Sequence, residues 1–535
     1  MKHTAKLLAL LLSALLLFTT LSACSEKINT DNMQSGAQNN PQRPTLDWAA
    51  DEGLPSHGTP NENSPDSDNP DFYGGIITDA TLAGSDSSES EQDRPPRFTE
   101  TAIQAISTFS ADVDTASYSY FRKVVNASYG LPDLQRISSA FRVEEFLNYF
   151  KYNVATPAEG ALFGVTSEIA VCPWNPQTML LRLSLQAPAP APTAGNNLVF
   201  LIDVSGSMMS EDKLPLLKTA FTYLVGNLGA NDTVSIVTYS GKEEVVLDGC
   251  SGLESARILE AINSLSAYGS TNGEAGLTEA YRIAEKHMVA GGNNRIILAS
   301  DGDLNVGIAT SAELKSFVEG KRDAGVYLSV LGFGGGNYRD ANMEALADNG
   351  NGVYYYIDGT SEAEKVFGSD LLGTLYTVAK DVKLQIKFDP EYISEYRLIG
   401  YENRMLNAED FEDDTKDAGD VGAGHQVTVC YELKCTEKAL STPGSDWMEL
   451  SMRYKLTDAL ISSESKLRLG AANRVSTPSD DLRFLSCVIR TVSILRSDSD
   501  SAAEELAQVL ADLNDLNLED HPDRAEFRDL IDKLV

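Results

Sequence analysis

Two aspartates and two serines stand where they could together bind a hard metal ion. Asp203, Ser205 and Ser207 follow directly after one apolar run of the chain. Asp301 follows directly after another. Mg²⁺ is held in proteins by about six oxygen atoms, some of them from water, and no histidine or cysteine stands beside these residues to favour zinc. The residue types therefore predict a site for Mg²⁺, with Mn²⁺ or Ca²⁺ as alternatives.

These side chains can meet only if the runs before them are strands of one sheet. From residue 197 to about residue 380, short apolar runs alternate with stretches of helix length, the last of them at 361–378. The predicted strands are residues 198–202, 233–239, 295–299, 326–332 and 353–357, with an antiparallel edge strand at 244–247. Apolar strands joined by crossover helices predict an α/β fold with a doubly wound parallel sheet. Ligands of such sheets bind at the carboxyl ends of the strands, where Asp203 and Asp301 stand.

The segment Asp203-Val204-Ser205-Gly206-Ser207 resembles the metal-ion-dependent adhesion site of von Willebrand factor type A (VWA) domains. Two further parts of that motif follow in order, Thr271 in a Gly-Ser-Thr-Asn-Gly turn and Asp301 in Ser-Asp-Gly. Each part alone is compatible with a turn or a helix cap, but together they carry the resemblance. It implies that Ser205 and Ser207 bind the metal directly and that Thr271 adds a hydroxyl, directly or through water. It also implies that Asp203 and Asp301 act largely through bridging waters, and that an acidic group of a protein partner completes the site.

Strands predominate on both sides of this region. Two precede it, at 164–171 and 179–185, and four between about 381 and 475 predict a β-sandwich-like module. The VWA domain is predicted to be inserted in this module or flanked by it. A helical region follows at 476–535.

The segments on either side of the predicted VWA domain indicate a more specific family. Segments at 112–118, 142–150 and 417–425 are similar to the flanking regions of bacterial VWA-domain lipoproteins. The predicted organisation begins with a signal peptide (1–23), a disordered acidic tether (24–97) and an N-terminal α+β region (98–195). A VWA domain (196–380), a β-sandwich-like module (381–475) and a helical region (476–535) follow.

The amino terminus predicts a membrane anchor. An apolar core of signal-peptide length ends in Leu-Ser-Ala before Cys24, which resembles the bacterial lipoprotein box. That resemblance implies cleavage before Cys24 and acylation of its thiol and amine, which gives a stable lipid anchor. Between Ser25 and Arg97 the chain has 14 acidic residues, four basic residues and eight prolines. This composition is typical of an extended, disordered tether. The expected location is the cell membrane or the outer membrane, facing away from the cytoplasm.

Composition and motifs exclude several other functions. A net charge of −35 over 535 residues disfavours binding to nucleic acid. The first strand of the sheet lacks the G-x-G-x-x-G turn of a dinucleotide site, and the chain has no Walker A loop, so no nucleotide is expected. No histidine lies in a nucleophile motif, so we expect no enzymatic activity. Asp112 and Asp114 are candidates for a second cation site, although N-capping of the next helix is the favoured interpretation.

These observations predict an anchored envelope protein that acts by recognition. Its VWA domain would bind a divalent cation and capture an acidic group of a protein partner. The alternative is a structural or assembly scaffold of the cell envelope, in which the metal only stabilises the fold.

Overall fold

A computed structural model describes residues 97–127, 129–189, 195–269, 273–302, 311–335, 340–370, 376–456, 459, 461–497 and 499–535. The predicted signal peptide, Cys24 and nearly all of the predicted tether lie outside these residues, as does Thr271. Within the described ranges no helix is long and apolar enough to cross a membrane.

The N-terminal part of the described chain combines short strands with helices. The strands are β1 (Thr99–Glu100), β2 (Ile106–Ser110), β3 (Gly164–Cys172) and β4 (Asn175–Gln186), and the helices are α1 (Ala116–Asn126), α2 (Leu131–Ile137) and α3 (Val143–Tyr149). Thr115 precedes α1, but its side chain makes no capping hydrogen bond. The Asp114 carboxylate accepts a hydrogen bond from the backbone N–H of Tyr354 (2.8 Å). The predicted N-cap bond is therefore wrong, because a tertiary contact takes the carboxylate.

A six-stranded sheet follows in the chain. Its strands are β5 (Asn196–Asp203), β6 (Thr233–Tyr239), β7 (Glu243–Ser251), β8 (Asn293–Ser300), β9 (Tyr327–Phe333) and β10 (Tyr354–Ile357). Their order is β10-β9-β8-β5-β6-β7, and all neighbours are parallel except β7, an antiparallel edge strand. All residues of β5 are buried, as expected for a central strand covered on both faces. This confirms the predicted α/β fold with its parallel sheet.

Among the described residues, six α-helices connect or flank these strands. They are α4 (Leu214–Val225), α5 (Ser255–Ser264), α6 (Gly273–Lys286), α7 (Ser311–Asp323), α8 (Asp340–Asn349) and α9 (Thr360–Glu364). Because β6 and β8 lie on either side of β5, the carboxyl ends of these three strands meet at one edge of the sheet. Asp203, Tyr239 and Ser300 end the three strands at that edge.

Two antiparallel sheets are assembled from both ends of the chain. The later elements are β11 (Thr377–Phe388), β12 (Ile393–Ile399), β13 (Met405–Leu406), β14 (Val421–Gly422), β15 (Gln426–Cys435), α10 (Glu437–Ser441), β16 (Asp446–Leu456) and β17 (Ser463–Gly470). One sheet has the order β1-β12-β15-β4-β3 and the other β13-β2-β11-β16-β17. Strands from before and after the parallel sheet are therefore neighbours, so the parallel-sheet region interrupts a β structure.

The chain leaves the parallel sheet by a shorter helix than the sequence predicts. The predicted helix over 361–378 is confirmed for its first part, since α9 continues into a π-helical turn over Lys365–Ser369. Its end is wrong, because β11 begins at Thr377, and residues 371–375 lie outside the described residues. Thr377 pairs with Gly422 of β14. A strand partner from later in the chain thus outweighs the local helical pattern.

The C-terminal region is helical, as predicted. It contains α11 (Asp480–Leu495), α12 (Ala502–Asn514) and α13 (Pro522–Asp532). The Phe150 ring, beyond the end of α3, lies 4.8 Å from the Phe484 ring and 5.7 Å from the Phe527 ring, measured between centroids. The helical region therefore shares an aromatic core with the N-terminal helices.

Candidate metal centre

The loop after β5 is held in place by backbone hydrogen bonds to two neighbouring segments. Val204 N–H donates to the Tyr239 carbonyl at the end of β6 (3.0 Å). Tyr268 N–H donates to the Val204 carbonyl (2.7 Å), and Gly206 N–H donates to the Gly269 carbonyl (3.0 Å). These bonds fix the turn that follows Asp203, so its side chains are positioned by the sheet rather than by the loop alone.

The two serines of the motif lie together. Ser205 Oγ and Ser207 Oγ are 3.0 Å apart, within hydrogen-bond distance of each other. Ser205 is buried, while Ser207 is exposed. Met208, between the exposed residues Ser207 and Met209, is fully buried and anchors the turn in the hydrophobic core. The hydroxyl pair thus lies at the surface end of a rigid segment, as a ligand pair must.

Asp203 is fully buried, and only one of its two carboxylate oxygens accepts a hydrogen bond within the described chain. Its Oδ1 accepts a hydrogen bond from the Ser205 N–H (2.8 Å), whereas its Oδ2 has no hydrogen-bond partner among the described residues. Burial raises the pKa of Asp203 to about 6, although the Ser205 N–H acts in the opposite direction. A buried carboxylate oxygen without a partner is costly, and a bound cation would remove that cost.

Asp301 follows β8 and is held by a lysine that the sequence did not indicate. Its Oδ2 lies 2.9 Å from Lys213 Nζ, and the same ammonium donates to the Ser207 carbonyl (2.9 Å). Lys213 therefore connects the Asp301 carboxylate with the backbone of Ser207. Lys213 stands six residues after Ser207 in the chain, but only the fold brings it to Asp301.

The residues at this edge fit a hard cation. Asp203, Ser205, Ser207 and Asp301 offer oxygen atoms only, which Mg²⁺, Mn²⁺ and Ca²⁺ accept and zinc does not favour. Within the described part of the chain, no group of three or more His, Cys, Asp or Glu side chains is arranged to hold a metal. A cation here would therefore depend on hydroxyls and water as well as on the two carboxylates. Thr271 lies outside the described residues, so its role stays a prediction.

The other aspartates considered from the sequence are used differently. Asp112 Oδ1 and Asp114 Oδ2 each lie 3.2 Å from Arg404 Nη2. The guanidinium supplies the positive charge that a second cation would have brought, so these two residues form an ion-pair cluster.

Family models match most of the described chain. The model of the von Willebrand factor type A domain matches residues 197–368, which include the parallel sheet and its carboxyl edge. A model described as von Willebrand factor matches residues 86–182. One described as uncharacterized protein YfbK, C-terminal, matches residues 373–535. The VWA domain is a module of protein–protein interaction and adhesion.

Similar proteins include one that spans most of the chain. Uncharacterized protein YfbK of Escherichia coli (strain K12) is 41% identical over 413 residues, which are 73% of this chain and 71% of YfbK. Inter-alpha-trypsin inhibitor heavy chain H3 of Homo sapiens is 28% identical over 189 residues, 33% of this chain and 21% of that protein. A solved von Willebrand factor type A structure from Catenulispora acidiphila aligns with a TM-score of 0.42 and 18% identity, over 70% of this chain and 89% of that one. The protein belongs to the YfbK family of bacterial VWA-domain proteins.

Proposed function

We propose that the VWA domain binds a divalent cation, Mg²⁺ in the first place, and uses it to capture a carboxylate of another protein. The observation that carries this proposal is the buried Asp203 Oδ2 without a partner, next to the paired hydroxyls of Ser205 and Ser207. Asp301 and Thr271 would complete the set. The recognition is non-catalytic.

The charge of the site supports an acidic partner. If Asp203 and Asp301 act largely through bridging waters, as the resemblance implies, the direct ligands of the cation are neutral hydroxyls and water. Such a cation, when bound, supplies positive charge and an open coordination position. An incoming carboxylate is the protein group that suits both.

The rim of the site supports a protein partner. Met209, two residues after Ser207, is 68% exposed. Tyr268, whose backbone N–H donates to the Val204 carbonyl, is 59% exposed. Large exposed side chains of these types are enriched in protein interfaces. The partner would therefore bring an acidic residue with apolar neighbours.

We further propose that the protein is lipid-anchored through Cys24 and faces away from the cytoplasm. The support is the signal-peptide pattern and the acidic, proline-rich stretch that follows it. In this arrangement the tether holds the VWA domain away from the membrane, where a protein partner can reach the metal centre.

A scaffold function is the second candidate, because buried ion pairs join the parallel-sheet region to its flanks. Arg122 in α1 pairs with Asp358, which precedes α9, at 2.6 Å. It also pairs with Glu362, which lies in α9, at 2.7 Å. In a scaffold, the metal would only stabilise the fold.

Calorimetric titration of the full chain with Mg²⁺ tests the metal centre. We expect binding in the wild type and its loss in Ser205→Ala, because a direct ligand is removed. Ser264→Ala is the matched control, since Ser264 lies exposed at the end of α5 and bonds only the Ala261 carbonyl within the described chain. Unchanged affinity in Ser205→Ala would contradict the site.

Crosslinking in intact cells separates capture from scaffolding. Capture predicts a crosslinked protein that is lost on chelation and in Ser205→Ala, but kept in Ser264→Ala. A scaffold predicts crosslinks that survive both treatments, together with a Mg²⁺-dependent melting temperature.

A further inference from the structure

We propose that Lys213 is a built-in counter-cation of the metal centre, which competes with the divalent cation for Asp301. This inference rests on the proposed metal-binding function and concerns its regulation. It makes metal occupancy depend on a side chain of the same chain, so the centre would fill only when the ion concentration is high enough to displace the ammonium.

The ammonium of Lys213 is held by Asp301, which the metal centre would use, and by the backbone of Ser207. Its Nζ lies 2.9 Å from Asp301 Oδ2 and 2.9 Å from the Ser207 carbonyl oxygen. The Lys213 side chain is 14% exposed, and that of Asp301 is 1% exposed. The Coulomb attraction within an ion pair shielded to this degree from water exceeds that of a pair on the open surface.

The stem of Lys213 is also accommodated by the fold. Gly334, after the end of β9, has a φ of +74°, and a Cβ atom there would lie 2.2 Å from Lys213 Cε. The positive φ favours glycine at this position, and the lysine stem packs over its α-carbon. The carbonyl of Lys213 accepts a hydrogen bond from Leu217 N–H in α4 (2.9 Å), which fixes the backbone from which the side chain reaches across the edge.

Electrostatics makes the two cations compete. In the metal-free protein, Lys213 offsets the negative charge that Asp301 and the nearby Asp203 carry, and so stabilises the centre. A dication bound within a few ångströms of the same carboxylate would repel the ammonium. Metal binding therefore requires Lys213 Nζ to leave Asp301, which its flexible four-carbon stem permits.

The test is a Mg²⁺ titration of the full chain with Lys213→Met, which keeps the length of the stem and removes its charge. We expect the dissociation constant to fall about tenfold, since the competitor is gone. Lys213→Arg keeps a positive charge and should bind no more tightly than the wild type. Lys315→Met is the matched control, because Lys315 is 56% exposed on α7 and, within the described chain, pairs only with Glu319, at 3.7 Å.

Thermal melting in chelator gives a second readout, independent of any partner. Lys213→Met should melt below the wild type without divalent ions and recover when Mg²⁺ is added, because Asp301 has lost its counter-charge. This measurement also shows whether the variant folds.

The outcomes separate this inference from the proposed function. Wild-type binding that is lost in Ser205→Ala, with Lys213→Met equal to or weaker than the wild type, would overturn the competition and leave the metal centre standing. Absence of Mg²⁺ binding in both the wild type and Lys213→Met would overturn both proposals.

Discussion

Two charged regions of this protein differ in how completely their polar atoms are paired. At the carboxyl edge of the parallel sheet, Asp203 keeps a buried oxygen without a partner. In the cluster around Arg122, which we name the Arg122 cluster, the guanidinium donates to each neighbouring acid. Its partners are Asp358, Glu362, Glu526 and the hydroxyl of Tyr149, at 2.6 to 3.0 Å. The first arrangement suits a site that awaits a ligand, and the second suits a permanent junction.

A second cluster lies on Arg404 and is paired less completely, since Arg404 Nε and Asp112 Oδ2 have no hydrogen-bond partner among the described residues. This arginine pairs with Asp112, Asp114, Glu344 and Asp348, which come from the N-terminal part and from α8. Both clusters thus join the parallel-sheet region to its flanks. The comparison shows that neither buried charge nor a single unpaired oxygen identifies a ligand site, and that Asp203 is distinguished by the neighbouring hydroxyls of Ser205 and Ser207.

Breaking the Arg122 cluster should have the largest effect. Arg122→Met keeps much of the side-chain volume but leaves the buried carboxylates of Asp358 and Glu362 without their counter-charge. Removing one partner of a buried ion pair costs about 3–5 kcal/mol. We expect a correspondingly lower free energy of unfolding, measured by denaturant titration. A loss below about 1 kcal/mol would show that the cluster is not a structural junction.

A smaller, pH-dependent effect should come from Glu144. This side chain is fully buried, its Oε2 accepts from the Tyr401 N–H (2.9 Å), and its Oε1 has no partner among the described residues. Burial, with the nearby charges of Glu402 and Asp112, raises the pKa of Glu144 to about 8. The folded protein therefore holds a proton that the unfolded chain releases above its ordinary pKa of 4.5.

The sign of the pH dependence follows from that proton. Since the folded state binds more protons than the unfolded state between about pH 4.5 and pH 8, Glu144 lowers stability as the pH rises through this window. We therefore compare the free energy of unfolding of Glu144→Gln with that of the wild type. The difference should favour the variant by about 1–3 kcal/mol more at pH 8 than at pH 5. Melting curves at the two values measure this difference. An equal difference at both values would contradict the raised pKa.

The smallest effect should come from an exposed arginine, which also serves as the control for Arg122→Met. Arg282 pairs with Glu279 one turn away at 2.7 Å, but its side chain is 57% exposed. Surface pairs of this kind contribute about 0.3–0.5 kcal/mol. Arg282→Met should therefore change the denaturation midpoint only slightly. A loss as large as that of Arg122→Met would mean that the two substitutions act through something other than burial.

Much of the fold could be predicted from local sequence patterns. The apolar run before Asp203 is a buried strand, as its pattern predicts. Leu482 and Leu485 lie on the buried face of α11, as their spacing indicates. Among the described strands of five residues or more, two were missed. β2 is a short, polar sequence, and β17 is a highly charged edge strand, so neither has the alternation of a half-buried strand.

The parts of the site that were not predicted depend on long-range contacts. Lys213 reaches Asp301 across 88 residues of sequence, and Asp114 meets Arg404 across 290. No local pattern reports such a pair, because each residue alone looks like an ordinary surface charge. The Asp203-to-Ser207 segment was identifiable because its residues are adjacent and their strand has a clear pattern.

The most direct test of the central claim is the effect of Mg²⁺ on the melting temperature of the wild type and of Asp203→Asn. The buried Asp203 carboxylate is proposed to be kept for a cation. At a hundredfold excess of Mg²⁺ over its dissociation constant, binding should stabilise the wild type by about 2.7 kcal/mol. The melting temperature of the wild type should therefore rise, while that of Asp203→Asn should not change. An equal rise in both proteins, or none in the wild type, would contradict the account.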